Sequence, residues 1–210
     1  METLKEGYNN IITGDETWIY FFTISSKEAN KVWVEKGENR PQIVRTAQNS
    51  KKRMFCIFYT IDGVIVRIVV KKGHTVTGKL YANSILPEVF SNFMEKRGRT
   101  SVRDVMLHHD NAVPHKSAVV TEYLRKERIK LLPHPPYSPD IAPCDFFLFP
   151  RIKKELKGKS FNNVENLARA VQVRQLSKAS QKLTKKSFQS WQNRLQRCID
   201  VNGEYFEGME

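Results

Sequence analysis

MFCIFYT (54–60) and VIVRIVV (64–70) are two runs of β-forming residues, and Asp62-Gly63 lies between them. Asp-Gly favours the tight turn of a two-stranded antiparallel hairpin, and runs rich in branched and aromatic residues favour its strands. The sequence therefore predicts a β-hairpin here, and the neighbouring segments are expected to extend its sheet.

Upstream of the hairpin, residues 11–23 are also rich in β-formers and predict a first strand. The polar group Gly14-Asp15-Glu16 is expected to interrupt that strand. Residues 24–50 are polar and include Gly37 and Pro41, and they are too long for an ordinary hairpin connection. They are interpreted as a long insertion between the first strand and the hairpin.

Downstream of the hairpin, helical and extended patterns alternate. The periodicity of apolar residues predicts helices over 77–96 and 113–126, and short strands over 104–109 and 129–132. Residues 133–143 hold five prolines and predict an irregular loop, after which a helix covers 144–156. This order predicts an α/β fold in which a mixed sheet is flanked by helices.

Residues 1–160 are expected to form the core of one domain, and residues 161–210 a basic helical C-terminal extension of it. The end of the extension is amphipathic through Phe188, Trp191 and Leu195, whereas residues 174–186 have few apolar anchors. The formal net charge of the chain is +13, and residues 151–197 carry 13 Lys and Arg residues against two Glu. A clustered cationic surface indicates a polyanionic partner such as nucleic acid, although a solvated basic face is the simpler alternative.

Composition also excludes several classes of protein. No apolar run approaches the roughly 18 residues that span a membrane, and METLKEGYNN (1–10) lacks the apolar centre of a signal peptide. The three cysteines form no CxxC pair, which argues against a zinc ribbon and a disulfide framework. A reducing compartment, the cytosol or the nucleus, is expected.

Three aspartates lie where the predicted elements begin or end: Asp15, Asp110 and Asp145. Carboxylates brought together from separate elements can hold the hard cations used in phosphoryl transfer. Each aspartate also has a simpler explanation: a bulge for Asp15, an Asx turn for Asp110, and a favourable helix N-terminus for Asp145. The residues alone do not collect the three into one site.

Four ordered motifs resemble the mariner branch of the mariner/Tc1 DNA transposases. They are GDETW (14–18), HHDNAVPH (108–115), PHPPYSPDIAPCDFFLFP (133–150) and RCIDVNGEYFEG (197–208). Asp110 and Asp145 are separated by 34 residues, which matches the D,D(34)D signature of that family. The resemblance runs from about residue 8 to residue 208, so a chance match of one short motif does not explain it.

The resemblance implies an RNase H-like catalytic core in which Asp15, Asp110 and Asp145 bind Mg²⁺ or Mn²⁺, with two ions expected. It implies a transposase that cleaves DNA at the inverted repeats of a transposon and transfers the freed 3′-OH into target DNA at a TA step. It further implies a homodimer that uses residues 24–50 in dimer contacts, and action in the nucleus. Asp140 falls five residues too early to be the third metal ligand and is expected to anchor a turn.

Mariner transposases carry an N-terminal helix-turn-helix region that reads the inverted repeats, and no stretch of this sequence matches it. The alternative function is therefore a domesticated remnant of a transposase that dimerises and binds DNA with little or no activity. Because carboxylates clustered without metal repel one another, Asp110→Asn is expected to leave stability unchanged or slightly higher.

Other residues admit further interpretations. His108 and Asp110 form the H-x-D of an iron-binding facial triad, with His115 or His134 as the third ligand, but no convincing barrel strand carries either histidine. His115 is expected to hold a loop at a helix start, and Cys144 to pack there rather than act as a nucleophile. The tryptophans Trp18, Trp33 and Trp191 are expected in the core. The cations of residues 51–53 and 71–72 flank the hairpin, as phosphate contacts or as protection of an edge strand.

Overall fold

The structure is a computed structural model that describes residues 7–22, 51–173 and 178–203. In this part of the chain, five strands form one mixed sheet in the order β3-β2-β1-β4-β5. The first three strands are antiparallel, and β1, β4 and β5 are parallel to one another. The strands are β1 (Ile11–Tyr20), β2 (Lys52–Thr60), β3 (Gly63–Val69), β4 (Met106–His108) and β5 (Lys130–Leu132).

The predicted hairpin is confirmed as β2 and β3, but the expected interruption of the first strand is wrong. β1 is continuous and pairs with β2 without a break from Thr13 opposite Tyr59 to Tyr20 opposite Lys52. Gly14 fits inside the strand because the Phe58 ring of β2 lies where a side chain of residue 14 would be. Asp15 and Glu16 point to opposite faces of the sheet, as successive strand residues do, so both polar side chains leave the ladder intact.

Three helical segments connect or follow the strands. Helix α1 is a continuous run made of Gly78–Leu80, the π-helical turn Tyr81–Ile85 and Leu86–Arg97, and the hydroxyl of Thr77 accepts a hydrogen bond from Leu80 N at its start. Helix α2 covers Ala118–Lys126, five residues later than expected, because turns occupy residues 113–117. Helix α3 begins with the π-helical turn Cys144–Leu148 and continues as Phe149–Leu156.

Apolar residues cover both faces of the sheet, as a parallel β1–β4–β5 arrangement requires. On one face, Ile12, Phe58 and Leu107 pack with α1 and α2. On the other face, Ile11, Ile57 and Tyr59 pack with α3 and the C-terminal helices. The sheet is therefore the middle of three layers, with a core on either side.

The C-terminal extension is helical where the structure describes it. Helix α4 covers Val164–Val173 and helix α5 covers Lys178–Asp200. The weakly anchored stretch 174–186 is helical from residue 178 onward, and residues 174–177 lie outside the described residues. Trp191 on α5 is buried as expected, whereas Trp18 is 41% exposed and the expectation of a core position is wrong for it. Trp33 and the expected dimer-contact loop 24–50 also lie outside the described residues.

Among the helices of the described ranges, none is both long enough and apolar enough to cross a membrane.

Gly14 provides a test of the packing between β1 and β2. A Cβ at this position would overlap the Phe58 ring. We expect Gly14→Ala to lower the free energy of unfolding by roughly 1–3 kcal/mol, the usual cost of overpacking a core. Urea denaturation measures this. Gly14→Ala combined with Phe58→Leu should lose less than the sum of the two single losses, and strictly additive losses would contradict the packing argument.

Candidate active site

The parallel register of β1 and β4 places two of the aspartates at the same level. The pairs run from Ile11 opposite Met106 to Thr13 opposite His108. The same offset of 95 residues puts Asp110 level with Asp15, just beyond the point where β4 ends. Because side chains alternate along a strand, Asp15 lies on the side of Ile11, which is the side that α3 covers, whereas Asp110 follows the end of β4.

Asp145 reaches the same place from α3. It lies in the first turn of that helix, and its backbone N–H donates to Ala142 O at 2.9 Å. Burial raises the pKa of Asp145, the charge of Asp110 raises it further, and Lys153 opposes them. The helix start thus carries this carboxylate to within electrostatic reach of the carboxylate after β4.

Of the three aspartates, Asp15 has the most strongly raised pKa. Burial, the charge of Glu16 and the charge of Asp145 together raise the pKa of Asp15 to about 8. A hydrogen bond of 2.6 Å that the Glu16 backbone N–H donates to Asp15 Oδ1 opposes the shift. A carboxyl group with such a pKa is partly protonated at neutral pH, and a bound cation would favour its release of that proton.

A histidine bridge on the other side of the sheet holds Asp110. The buried His115 ring donates from Nδ1 to Asp110 Oδ1 at 2.7 Å and from Nε2 to Glu16 Oε1 at 3.3 Å. Burial alone would lower the pKa of His115, but the two hydrogen bonds and the two negative charges outweigh it and raise the pKa to about 10. His109 stacks on His115 at 4.6 Å, and the hydroxyl of Tyr81 lies 2.9 Å from His109 Nδ1.

At Asp110 itself, hydrogen bonds outweigh the expected like-charge repulsion, although the charge of Asp110 raises the pKa of Asp15 and of Asp145. The hydrogen bond from His115 and another from the Ala112 backbone N–H keep the pKa of Asp110 below its usual value, despite partial burial. The hydrogen bond from Ala112 N–H closes the Asx turn that was the simpler explanation of Asp110 in the sequence. His115 is therefore a loop-holding residue as expected. Its partner Glu16 was not identified from the sequence. The only signal for Glu16 in the sequence was its position next to Asp15 in a strand, with its side chain on the opposite face.

Helix α5 fixes the segment from which Asp145 projects. Arg194 donates from Nη1 to the backbone oxygen of Asp140 at 2.7 Å, and its guanidinium lies 4.5 Å from the Phe146 ring. Trp191, one turn earlier, lies 4.6 Å from the His108 ring at the end of β4. The extension therefore packs against both elements that lead into the site, which the sequence pattern did not indicate.

The alternative chemistries have less support. The ring nitrogens of His108 lie 3.0 Å from Thr13 Oγ1 and 3.2 Å from His134 Nδ1, so both have partners other than an iron ion. Cys144 is buried, and burial together with the charges of Asp15 and Asp145 raises the pKa of its thiol well above the ordinary value. A thiol in that state is a poor nucleophile.

Within the described ranges, no three His, Cys, Asp or Glu side chains are already gathered closely enough to hold a metal ion. The three aspartates are electrostatic neighbours, because each of Asp110 and Asp145 contributes to the raised pKa of Asp15. Their assignment as metal ligands stays a prediction.

Comparison with known proteins gives one family match and several relatives. Residues 23–103 match the family described as a transposase, partial DDE domain. The Mos1 mariner transposase of Drosophila mauritiana is 28% identical over 97% of this chain, and the human histone-lysine N-methyltransferase SETMAR is 28% identical over 95%. The crystal structure of the catalytic domain of Mos1 transposase superposes with a TM-score of 0.75 at 25% identity, covering 98% of this chain and 88% of that one.

The chain is similar to the catalytic domain of a mariner transposase over nearly its whole length. The RNase H-like fold expected from the resemblance is confirmed, since the five-stranded sheet and its helices match that domain. A complex of Mos1 transposase with the left transposon end superposes with a TM-score of 0.86 at 28% identity, covering 98% of this chain and 59% of that one. The chain spans 58% of the length of Mos1 transposase and 28% of the length of SETMAR.

Asp15 and Asp110 should respond oppositely to the same substitution in metal-free protein. Because the pKa of Asp15 rises from 3.8 to about 8 on folding, its contribution to stability falls as pH rises through this range. Asp15→Asn should therefore stabilise the protein at pH 8.5, by an amount on the order of a few kcal/mol, and much less at pH 4.5.

Asp110→Asn should destabilise the protein at both pH values, because it removes the charged partner of buried His115. Thermal unfolding in EDTA measures both variants. The assignment of charge in the site is wrong if Asp110→Asn is the more stable variant at pH 8.5, or if the effect of Asp15→Asn does not depend on pH.

Proposed function

We propose that this chain is the catalytic domain of a mariner-type, metal-dependent DNA transposase. It cleaves DNA strands at transposon ends and transfers the 3′-OH into target DNA at a TA step. The observation that carries the proposal is that Asp15 on β1, Asp110 just after the neighbouring parallel strand β4, and Asp145 at the start of α3 lie close enough for their charges to interact. Related Mos1 structures include a complex described as a strand transfer complex, with a TM-score of 0.83.

Asp15, Asp110 and Asp145 would hold the Mg²⁺ or Mn²⁺ ions, of which we propose two. Related Mos1 structures are described as complexes with Mn and with Mg. Three neighbouring carboxylates, two of which have a raised pKa, form a donor set that suits hard divalent cations. When bound, such ions supply the positive charge that phosphoryl transfer requires at the attacking and leaving oxygens.

The remaining groups of the site position these carboxylates. The bridge from Glu16 through His115 to Asp110 fixes the orientation of the Asp110 carboxylate, because both ring nitrogens of His115 are bonded. Asp15 would have to lose its proton to hold a cation, so cation affinity should increase with pH up to about 8. Arg194 holds the loop from which α3 starts and thereby places Asp145.

The partners proposed for the domain are double-stranded DNA, with the inverted repeats of a transposon and a TA target, and a second copy of the chain. Support for DNA comes from the net charge of +13 and from the DNA complexes formed by relatives of this fold. Support for the homodimer comes from relatives solved as paired-end complexes. A DNA substrate and three unpaired cysteines are consistent with action in the nucleus, which we propose as its location.

Catalysis is tested by nicking of supercoiled plasmid with Mn²⁺ or Mg²⁺. We expect divalent-ion-dependent nicking that is abolished in Asp15→Asn, Asp110→Asn and Asp145→Asn, because Asn keeps the shape of Asp without the charge that binds the cation. The matched control is Asp104→Asn, an exposed carboxylate whose φ of 65° Asn tolerates well. Gel electrophoresis measures nicking, and the shift of the melting temperature on adding Mn²⁺ measures metal binding.

Two outcomes of this experiment would contradict the assignment. If Asp140→Asn loses the Mn²⁺-induced shift in melting temperature while Asp145→Asn retains it, the third ligand is Asp140 and not Asp145. Absence of nicking by the parent chain on any DNA would favour the alternative of a DNA-binding remnant without activity.

DNA binding by the parent chain should be weak, independent of sequence and steeply dependent on salt. Residues 151–197 carry 13 Lys and Arg residues against two Glu, and such surfaces bind DNA by displacing its counterions. The logarithm of the binding constant should fall with the logarithm of salt concentration by about 0.9 for each phosphate neutralised. Fluorescence anisotropy with duplexes of unrelated sequence measures this, and salt-insensitive or strongly sequence-selective binding would contradict it.

A further inference from the structure

A basic cavity lies at the end of the sheet away from the three aspartates. It has a volume of about 530 Å³ and opens where β1 ends, β2 begins and β3 ends, and the first turn of α4 closes its fourth side. The walls are fixed by backbone hydrogen bonds from Phe21 N to Lys51 O and from Phe161 N to Phe21 O, at 2.9 and 2.8 Å. The cavity is thus built from the sheet and from a helix of the extension.

The lining of this cavity is strongly cationic. Glu165 is the only carboxylate among its lining residues in the described part of the chain. Five Lys or Arg residues line it, and they come from two segments far apart in sequence: Lys51, Lys52, Arg53, Lys71 and Lys72. A concave surface lined by cations attracts ligands with several negative charges.

Protection of an edge strand accounts for at most part of this arrangement. Cations that prevent edge-to-edge aggregation belong on the outermost strand, which here is β3, and Lys71 and Lys72 come just after it. Lys52 and Arg53 lie on β2 and pair with β1, before the ladder between β2 and β3 begins at Phe55. The two cationic segments instead share one concave surface.

Exposed aromatic rings lie beside the cations. The Lys52 ammonium is 4.5 Å from the centroid of the Trp18 ring and 5.9 Å from that of Tyr20. These rings are 41% and 40% exposed. Ring contacts restrict the Lys52 side chain while leaving its charge at the surface, so less conformational entropy is lost when it contacts an anion.

The first turn of α4 adds a further donor surface to the same cavity. The side chain of Asn163 accepts a hydrogen bond from Asn166 N at 2.8 Å, and both Asn162 and Asn163 line the cavity and are exposed. The first turn of a helix presents backbone N–H groups and the positive end of the helix dipole. The helix end and the lysines therefore favour the same kind of ligand.

We propose that this cavity, here called the β1-end pocket, binds the phosphate backbone of duplex DNA that extends away from the carboxylates. The inference rests on the proposed function, since it takes DNA as the substrate held at those carboxylates. Phe21 follows Asp15 by six residues on nearly the same strand, or about 20 Å at 3.3 Å per residue. That is about six base pairs at 3.4 Å each, so one duplex can reach both places.

The test removes three charges from the pocket. The variant Lys52→Gln/Lys71→Gln/Lys72→Gln changes exposed side chains only, whereas Arg53 is left intact because its guanidinium packs 5.7 Å from the Phe21 ring. The matched control, Lys126→Gln/Arg128→Gln/Lys130→Gln, removes three cations near α2 and β5. Binding to a 30-base-pair duplex is measured by anisotropy across salt concentrations, and the melting temperature is measured with and without Mn²⁺.

We expect the pocket variant to bind the duplex more weakly, with a salt slope reduced by roughly 2.7, about 0.9 for each phosphate that the variant no longer neutralises. The control should keep a slope close to that of the parent chain. The Mn²⁺-induced rise in melting temperature should persist in both variants. Equal losses in the two variants, or an unchanged slope in the pocket variant, would overturn the proposal.

Two further measurements separate this proposal from others. The first uses polyglutamate in place of DNA, as a mimic of an acidic protein segment. If the three lysines affect the binding of polyglutamate but not of DNA, the pocket is a protein-docking site and the proposal is wrong. Nicking of plasmid by the parent chain tests the proposed function separately. Absence of nicking with a reduced salt slope in the pocket variant would overturn the catalytic function while supporting DNA binding in the pocket.

Discussion

The parallel pairing of β1 with β4 determines both the order of the sheet and the position of the candidate site. Only three residue pairs form this ladder, yet they set the offset that brings Asp110 level with Asp15. A slip of one residue would turn the side chains of β4 to the opposite faces of the sheet and would move Asp110, which follows β4, relative to Asp15. Burial of Ile11 and Leu107 on opposite faces resists that slip, so the two cores maintain the geometry of the site.

Charge is distributed unevenly within the site. On one face, His115 is held between Glu16 and Asp110, and this pair of hydrogen bonds keeps Asp110 ionised. On the other face, Asp15 is partly buried near Asp145 and its pKa rises to about 8. Repulsion among the carboxylates thus affects Asp15 most and Asp145 less, and a bound cation would relieve it. Part of the stability of the fold is given up to keep these charges together, as is common at functional sites.

The C-terminal helices are integral to this arrangement. Trp191 packs on His108 at the end of β4, and Arg194 binds the loop that precedes α3. The first turn of α4 also forms one side of the β1-end pocket, at the other end of the sheet. The same extension therefore supports the carboxylates and adds to a cationic surface, which would link the proposed catalysis to the proposed DNA contacts within one domain.

The sequence by itself determined the hairpin, the alternation of helices and strands after it, and the three aspartates as candidates. Those features depend on local composition and on motif spacing, which are visible along the chain. Only the tertiary structure decided that β1 continues through Asp15. Gly14 fits in this strand because the Phe58 ring of the neighbouring strand occupies the space that a side chain at position 14 would need. The roles of Glu16 and Arg194 likewise arise from contacts between residues 99 and 54 positions apart. Local patterns carry no information about such partners, since their energies exist only once the strands and helices have packed.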